Sequence, residues 1–457
     1  MPSSPTCCEE IPIRRPEMLT IVLITFLAAA IRIFSISGIA VEHFDEGVYA
    51  SNLWFSEAEG YQYPNRYLYA PPLLPALIEW SLVIFGSSET WIPAIPSLLA
   101  SIFTIPLMWW IGRRTSGPVA GLAAAMILAA NNVHILYART ALTESLLCFF
   151  MLLSVSLANC MCRELTISPR YRFYPFMLAV LSGLMAGLGW WTKYSGWLSL
   201  AVIVSGTAGW GLWRYRMREW IWLAIHLGVI VVVAVLVWLP FYFSLNQYGG
   251  YSAVAENHRQ YFVGWSGWLT SLQYQLSSQW QMSGLLTLLG VVGAALITRQ
   301  AADEPDLSAS PVAQQPLLQA SGVWLGASWF LGLSLAIPLY TPYPRLVVPW
   351  WIIVCFLLGI VISRLGTRLK SVLKKPVSHR ALAMSLLILL YGGTLLDKNF
   401  LGVMTWQPRL FIRDIATQVL ERTQQTATQE GKSADQVICY VYGEPALFYH
   451  LSALNVL

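Results

Sequence analysis

Long apolar runs recur along this chain, and they leave few folds open to it. A helix needs about 20 mostly apolar residues to cross the hydrocarbon of a bilayer. About eleven segments qualify: 18–38, 90–111, 118–136, 141–161, 174–192, 196–213, 220–243, 282–298, 322–340, 346–363 and 381–396. With 56% hydrophobic and 11% charged residues over 457 positions, no single water-soluble core can take up these runs. The sequence therefore predicts an all-α polytopic membrane protein whose spans account for about half the chain.

Charge then orients the spans. The formal net charge is +5, but the cations lie in short loops between apolar runs, so they report topology rather than a nucleic-acid partner. Arg14 and Arg15, Arg113 and Arg114, and the clusters at 163–172, 214–218, Arg299 and 364–380 all fall on one side of the drawn spans. The positive-inside rule makes that side the cytoplasm. Counting 71–85 as a crossing would invert every later cluster. That short run opens with Pro71 and Pro72, carries Glu79 and Trp80, and reads as a helix along the outer surface. The first run has the basic flank of a signal peptide but no small-residue cleavage pattern, so it reads as a retained span. Cys148, Cys160, Cys162 and Cys355 lie in or beside spans and Cys7 and Cys8 in the N-terminal tail, with neither disulfide-framework nor zinc-site spacing.

The polar segment 299–319, with Pro305, Pro311 and Pro316, has the composition of a cytoplasmic linker. After the last span, 406–428 reads as a polar helix and 437–441 as a short β-run followed by Gly443 and Pro445. The expected organisation is a transmembrane domain over 1–400, with a first outer loop at 39–89, and the start of a small or truncated soluble α/β element over 401–457. An odd span count leaves the N-terminus in the cytoplasm and the C-terminus outside, in the inner (plasma) membrane.

Four polar clusters then share the outer face. Val41-Glu-His-Phe-Asp-Glu-Gly-Val-Tyr49 places three carboxylates and a histidine just beyond the first span. Adjacent Asp45 and Glu46 would raise each other's pKa by like-charge repulsion, which suits a general base; equally, Asp45 suits the cap of a helix through Tyr49 and Trp54. In Tyr137-Ala-Arg139-Thr-Ala-Leu-Thr-Glu144, Glu144 is a candidate metal ligand or second acid, against an Arg139 to Glu144 salt bridge that closes the turn. Trp190-Trp-Thr-Lys193-Tyr194 offers a cation for phosphate and rings for a sugar, against an aromatic-belt turn with a snorkelling lysine. Tyr340-Thr-Pro-Tyr-Pro-Arg345 holds an arginine rigidly for bidentate phosphate binding. The outer loop 244–281, with Glu256, His258, Arg259, Trp265, Trp268 and Trp280, is long enough for a lid. Arg32 either snorkels outward or helps to hold a lipid phosphate.

The order of these motifs is similar to that of the GT-C glycosyltransferases, in the protein O-mannosyltransferase-like group that includes bacterial aminoarabinose transferases. The residues that carry it are Asp45-Glu46 after the first span, Tyr69-Ala-Pro-Pro-Leu-Leu-Pro75 with Phe85-Gly86, Tyr137-Ala-Arg139, and Gly187-Leu-Gly-Trp-Trp-Thr-Lys193. The resemblance covers about the first 400 residues and implies a sugar donor linked to polyprenyl phosphate, inverting transfer to a protein, lipid or glycan acceptor, and Asp45 as catalytic acid assisted by Glu46. Lys193 and Arg345 would hold the donor phosphate. The family pattern often has Asp where this chain has Glu144, and a divalent cation is needed by some relatives and not by others. Gly443-Glu-Pro445 resembles the start of the soluble α/β domain of bacterial members. A transporter or flippase would instead show inverted repeats and midplane polar groups in broken helices, and an inactive envelope-assembly scaffold would keep every motif.

Overall fold

The structure, a computed structural model, describes residues 12–51, 63, 65–167, 173–214, 217–282, 289–296, 316–372, 408–433, 436–441 and 443–454. The expected eleventh span, 381–396, and parts of the eighth span and of the 299–319 linker lie outside the described residues.

In chain order the helices are α1 (Arg15–Ile33), α2 (Phe44–Ala50), α3 (Leu73–Phe85), α4 (Ile95–Ser116), α5 (Pro118–Ala129), α6 (Asn132–Ala138), α7 (Glu144–Ile167) and α8 (Phe173–Thr192). They continue with α9 (Leu198–Arg214), α10 (Met217–Leu245), α11 (Gly250–Arg259), α12 (Gly264–Met282), α13 (Ser321–Ala336), α14 (Val348–Val372), α15 (Phe411–Glu430) and α16 (Pro445–Ala453). Among the described residues, seven helices are long and apolar enough to cross a bilayer, eight if the bent pair α5–α6 is one crossing. The chain is a multi-pass membrane protein. Helix α3, at 13 residues, rises roughly 20 Å, too little to span a core of about 30 Å. It buries Leu74, Ile78 and Leu82 and exposes Trp80, Ile84 and Phe85.

Small residues let the bundle close. Lipid tails are as apolar as leucine, so membrane helices associate by packing rather than by escape from water. Helix α5 presents Ala120, Ala123, Ala124 and Ala125, all fully buried. A Cβ at Gly112 of α4 would stand 2.8 Å from Gly121 Cα of α5, and one at Gly359 of α14 would stand 2.6 Å from Ala124 N. Between α4 and α5 the chain reverses at Gly117, whose φ of 95° favours glycine, and Pro118 opens the next helix without needing its N–H.

The expected straight span 118–136 is broken. Helices α5 and α6 meet at 61°, and Asn131 restarts the chain by accepting the His134 N–H at 2.9 Å. The break frees carbonyls inside the bundle, and Arg32 takes them. It donates to Ala129 O at 2.9 Å and to Leu128 O at 3.5 Å, reaches Ser101 Oγ at 2.7 Å, and sits 2.9 Å from His134 Nδ1. Fully buried, Arg32 neither snorkels nor faces a lipid headgroup.

Among the described residues, Arg113, Arg114 and Arg163 of the basic loops gather at one end of the bundle. Glu17 at the start of α1 accepts from Arg113 at 2.7 Å and from Trp109 at 3.0 Å at the end of α4, and Arg163 of α7 reaches Arg114 O at 3.3 Å. The four polar clusters lie at the other end. There the loop expected as a lid forms α11 and α12, joined to the 340–345 turn by Val263 N–H to Leu339 O and Thr341 N–H to Tyr261 O, each 2.8 Å. Among the described residues, the regular structure of the C-terminal element is the two helices α15 and α16. Among the described residues no β-ladder forms: 437–441 carry no regular secondary structure, and Gly443-Glu-Pro445 leads into α16, with Glu444 as its cap.

Candidate active site

Seven residues place both acids. His43 caps α2, its ring accepting the Asp45 N–H at 3.1 Å, and Glu46 completes the capping box by accepting from His43 N at 2.9 Å and from Glu42 N at 3.1 Å. Asp45 is therefore not the cap, and its carboxylate is left for other partners. Glu46 is buried, accepts the Ala141 N–H at 2.8 Å, and forms an ion pair with Arg409. Burial pushes its pKa up, but the Arg409 guanidinium and the backbone N–H donors outweigh that and hold it below the ordinary carboxylate value. The expected mutual repulsion of the two acids does not decide the site, because each carboxylate takes its own arginine.

Asp45 pairs with Arg345, from a position 300 residues away in sequence. Both side chains keep some exposure, 14% for Asp45 and 24% for Arg345. The arginine stands on a single 3-10 turn over Pro344–Val347, with its guanidinium 5.7 Å from the centre of the Tyr343 ring. Beside this pair lies a second one, Glu144 and Lys193 at 2.6 Å, close enough for Glu144 to act electrostatically on Arg345. Glu144 is buried, and among the described residues its Oε2 has no hydrogen-bond partner. Tyr49, one turn beyond Asp45, is also buried; burial first, then the Asp45 carboxylate, pushes its phenol well above the ordinary value.

The other candidates sit elsewhere. Arg139 does not close the turn onto Glu144. It donates to Arg32 O at 2.8 Å, Phe34 O at 2.5 Å and Ser35 O at 3.3 Å, carbonyls at and just beyond the end of α1. Burial, with Arg409 nearby, lowers its pKa to about 10. Trp190 stacks on Trp238 with ring centres 4.7 Å apart, and Trp191 donates to Val237 O at 2.7 Å, so both indoles are committed to packing against α10. His258 bonds back to Val254 O at 2.8 Å and lies 6.1 Å from the Tyr194 ring, at the margin of the cluster rather than on its carboxylates. Arg409 and Tyr49 are residues the sequence reading passed over. Arg409 follows the last apolar run without a motif, and Tyr49 announces itself only as the residue one turn after Asp45.

As a metal centre the donor set does not fit. Among the described residues no three His, Cys, Asp or Glu side chains converge, and Asp45, Glu46 and Glu144 each face a protein cation.

With this geometry in view, likenesses to known proteins are informative. Residues 69–238 match the family model described as dolichyl-phosphate-mannose-protein mannosyltransferase. No curated protein matches the sequence. In fold, the chain is similar to ArnT from Cupriavidus metallidurans bound to undecaprenyl phosphate, with a TM-score of 0.61 and 18% identity over 94% of this chain and 84% of that one. It is also similar to the Archaeoglobus fulgidus oligosaccharyltransferase in its apo form, with a TM-score of 0.59 and 12% identity over 96% of this chain and 64% of that one. A third likeness is to AglB from Archaeoglobus fulgidus in complex with an inhibitory peptide and a dolichol-phosphate, with a TM-score of 0.54 and 11% identity over 97% of this chain and 64% of that one. The fold that the sequence resemblance implied is thereby matched in three dimensions.

Proposed function

We propose that this chain, built on the GT-C glycosyltransferase architecture, moves a sugar from a polyprenyl-phosphate donor to an extracytoplasmic acceptor with inversion. The observation that carries the reading is the meeting of Asp45 with Arg345, next to Glu144 and Lys193, at the end of the bundle opposite the basic loops. A partly exposed acid for proton removal and two cations for a phosphate are what such a transfer needs. Under the positive-inside rule the basic end is cytoplasmic, the site and C-terminal element lie outside, and the protein resides in the plasma membrane.

Asp45 takes the proton from the acceptor nucleophile, which attacks the anomeric carbon from the face opposite the phosphate. The bond from that carbon to the phosphate oxygen breaks, and its electron pair leaves with the polyprenyl phosphate. A phosphodiester with one negative charge becomes a monoester with about two near neutral pH. Arg345 and Lys193 therefore gain attraction along the reaction, which is the differential stabilisation that accelerates a step. Before the donor arrives Arg345 is held by Asp45. An incoming phosphate takes the arginine and frees the carboxylate for the acceptor. Glu144, held by Lys193 through one oxygen, keeps Oε2 for a hydroxyl of the bound sugar or acceptor. Glu46 and Arg139 support the loop, and His258 lines the approach beside Tyr194.

A transporter would show a broken helix with polar groups at mid-bundle; α5–α6 is broken, but Arg32, which completes it from the last turn of α1, is sealed from solvent and engaged by protein acceptors. The deciding experiment incubates purified protein in nanodiscs with polyprenyl-phosphate-linked sugars and an envelope extract as the source of acceptor, and measures free polyprenyl phosphate. Release by the wild-type protein is expected; no release from any such donor contradicts the reading. Mass spectrometry of envelope glycans in a deletion strain then identifies the sugar and its acceptor.

A further inference from the structure

The C-terminal element grips the turn that carries Asp45. Arg409 forms an ion pair with Glu46, reaches Glu42 Oε2 at 3.9 Å, donates its backbone N–H to Gly38 O at 2.7 Å, and reaches Arg139 O at 3.5 Å. The Phe411 N–H, two residues on, donates to Glu42 Oε1 at 2.5 Å. The beginning of the first outer loop, at 38 and 42–46, is thus tied to the start of α15.

Helix α16 seals the other side of α2. Its first residues lie so close to Gly47 that a Cβ there would overlap the backbone of Pro445 and Ala446. The conformation of Gly47 is ordinary and helical, so close approach, not backbone freedom, is what calls for glycine here. Ala446 and Tyr449 share an apolar cluster with Val41, Val48 and Tyr49, and His450 Nε2 meets Val41 O at 2.8 Å. A helix of seven residues has too few turns to hold its own shape in water, and tertiary contacts must fix it.

We propose that the C-terminal element is a built-in clamp of the active site, with Arg409 as a positioning residue: by holding Glu46 it fixes α2 and aims the Asp45 carboxylate at Arg345 and the acceptor. Asp45 and Glu46 are consecutive residues of one short helix, so displacing one displaces the other. A carboxylate moved by about 1 Å can cost roughly a hundredfold in rate. The role assigned to Asp45 rests on the transferase reading above; the grip itself rests on the contacts alone.

The test uses the full chain in nanodiscs and two variants that loosen the clamp from different sides, Arg409→Gln and Gly47→Ala. Two quantities are read: kcat and KM for a polyprenyl-phosphate sugar, and hydrogen exchange at the amides of 41–51. The expected result is a kcat lower by roughly a hundredfold, a KM for the donor within about twofold of wild type, and faster exchange confined to 41–51. Arg409→Lys, which keeps the charge, recovers part of the rate. A merely structural role would raise exchange through α4, α5, α7 and α14 together. Should Arg409→Gln do that, His450→Ala decides, since it removes the bond between α16 and Val41: a lower kcat with faster exchange at 41–51 alone supports the clamp, and the absence of both changes overturns it. Unchanged turnover in both loosening variants overturns the proposal, as does unchanged exchange at 41–51. If the wild-type protein turns over no polyprenyl-phosphate sugar, the transferase reading fails on its own, and exchange at 41–51 still decides whether the clamp exists.

Discussion

Arg32 and Arg345 are arginines at the edges of apolar helices, and both invite a phosphate on paper, but their surroundings divide them. Around Arg32 every acceptor is neutral: the carbonyls of Ala28, Leu128 and Ala129, the Ser101 hydroxyl and a ring nitrogen of His134, all out of contact with solvent. Around Arg345 stand the Asp45 and Glu144 carboxylates, and a quarter of the arginine side chain stays open. A buried charge is costly unless its hydrogen bonds are all made, and Arg32 meets that condition by completing a broken helix. An ion pair with partial exposure can exchange one partner for another. Charge marks both regions as special, and only exposure and the identity of the partner separate scaffold from chemistry.

That contrast is sharpest in turnover. Asp45→Asn removes the proposed base while nearly preserving shape, and general-base catalysis is worth roughly a hundredfold to ten-thousandfold, so release of polyprenyl phosphate by the purified variant should fall by that factor. A rate near wild type would move the chemistry elsewhere. Arg345→Gln should lower kcat by roughly a hundredfold, the usual cost of losing one donor to a developing oxyanion, with little change in unfolding temperature; Lys193→Gln should lower kcat as well but also cost stability, because it leaves the buried Glu144 carboxylate without its cation. Arg32→Met should do the reverse of Arg345→Gln. Leaving buried carbonyls and a hydroxyl without their donor costs on the order of 3 kcal/mol, visible in denaturant unfolding, while the folded fraction keeps its kcat. Equal loss of activity and stability in the Arg32 and Arg345 variants would erase the distinction.

Acidity gives the smallest effects. Glu46 has a folded pKa below its ordinary 4.5, so its contribution to stability is complete above that value and is lost as the pH falls below it. Burial holds the His450 pKa below its ordinary 6.5, so the unfolded chain takes up a proton first. Stability should therefore decline as the pH drops below about 6.5. Unfolding temperature measured against pH should show this gentler decline, and His450→Gln should flatten it.

Much of the fold is legible in the sequence because bilayer thickness sets a length that hydropathy can count. The basic ends, the short α3 and the start of α7 follow from that count and from charge. The bend between α5 and α6 does not, because a hydropathy window is blind to a lost helical hydrogen bond; Asn131-Asn132 is its only written trace. In the site, Asp45, Glu144, Lys193 and Arg345 are visible as polar residues where apolar runs stop. Their pairing is not. Nearness in sequence suggests Arg139 for Glu144, whereas folding brings in Lys193, 49 positions on, and sends Arg139 to the end of α1. Arg409 has no local signature at all, since its partner lies 363 residues upstream. Such contacts belong to the tertiary fold and leave no periodicity to read.

The central claim is that the cluster around Asp45 and Arg345 receives a lipid phosphate. A cryo-EM structure of the protein with polyprenyl phosphate bound tests it most directly. The account expects phosphate oxygens within hydrogen-bonding distance of Arg345 and Lys193, with Asp45 released from the arginine. Phosphate bound away from both cations, with Asp45 and Arg345 still paired, would contradict it.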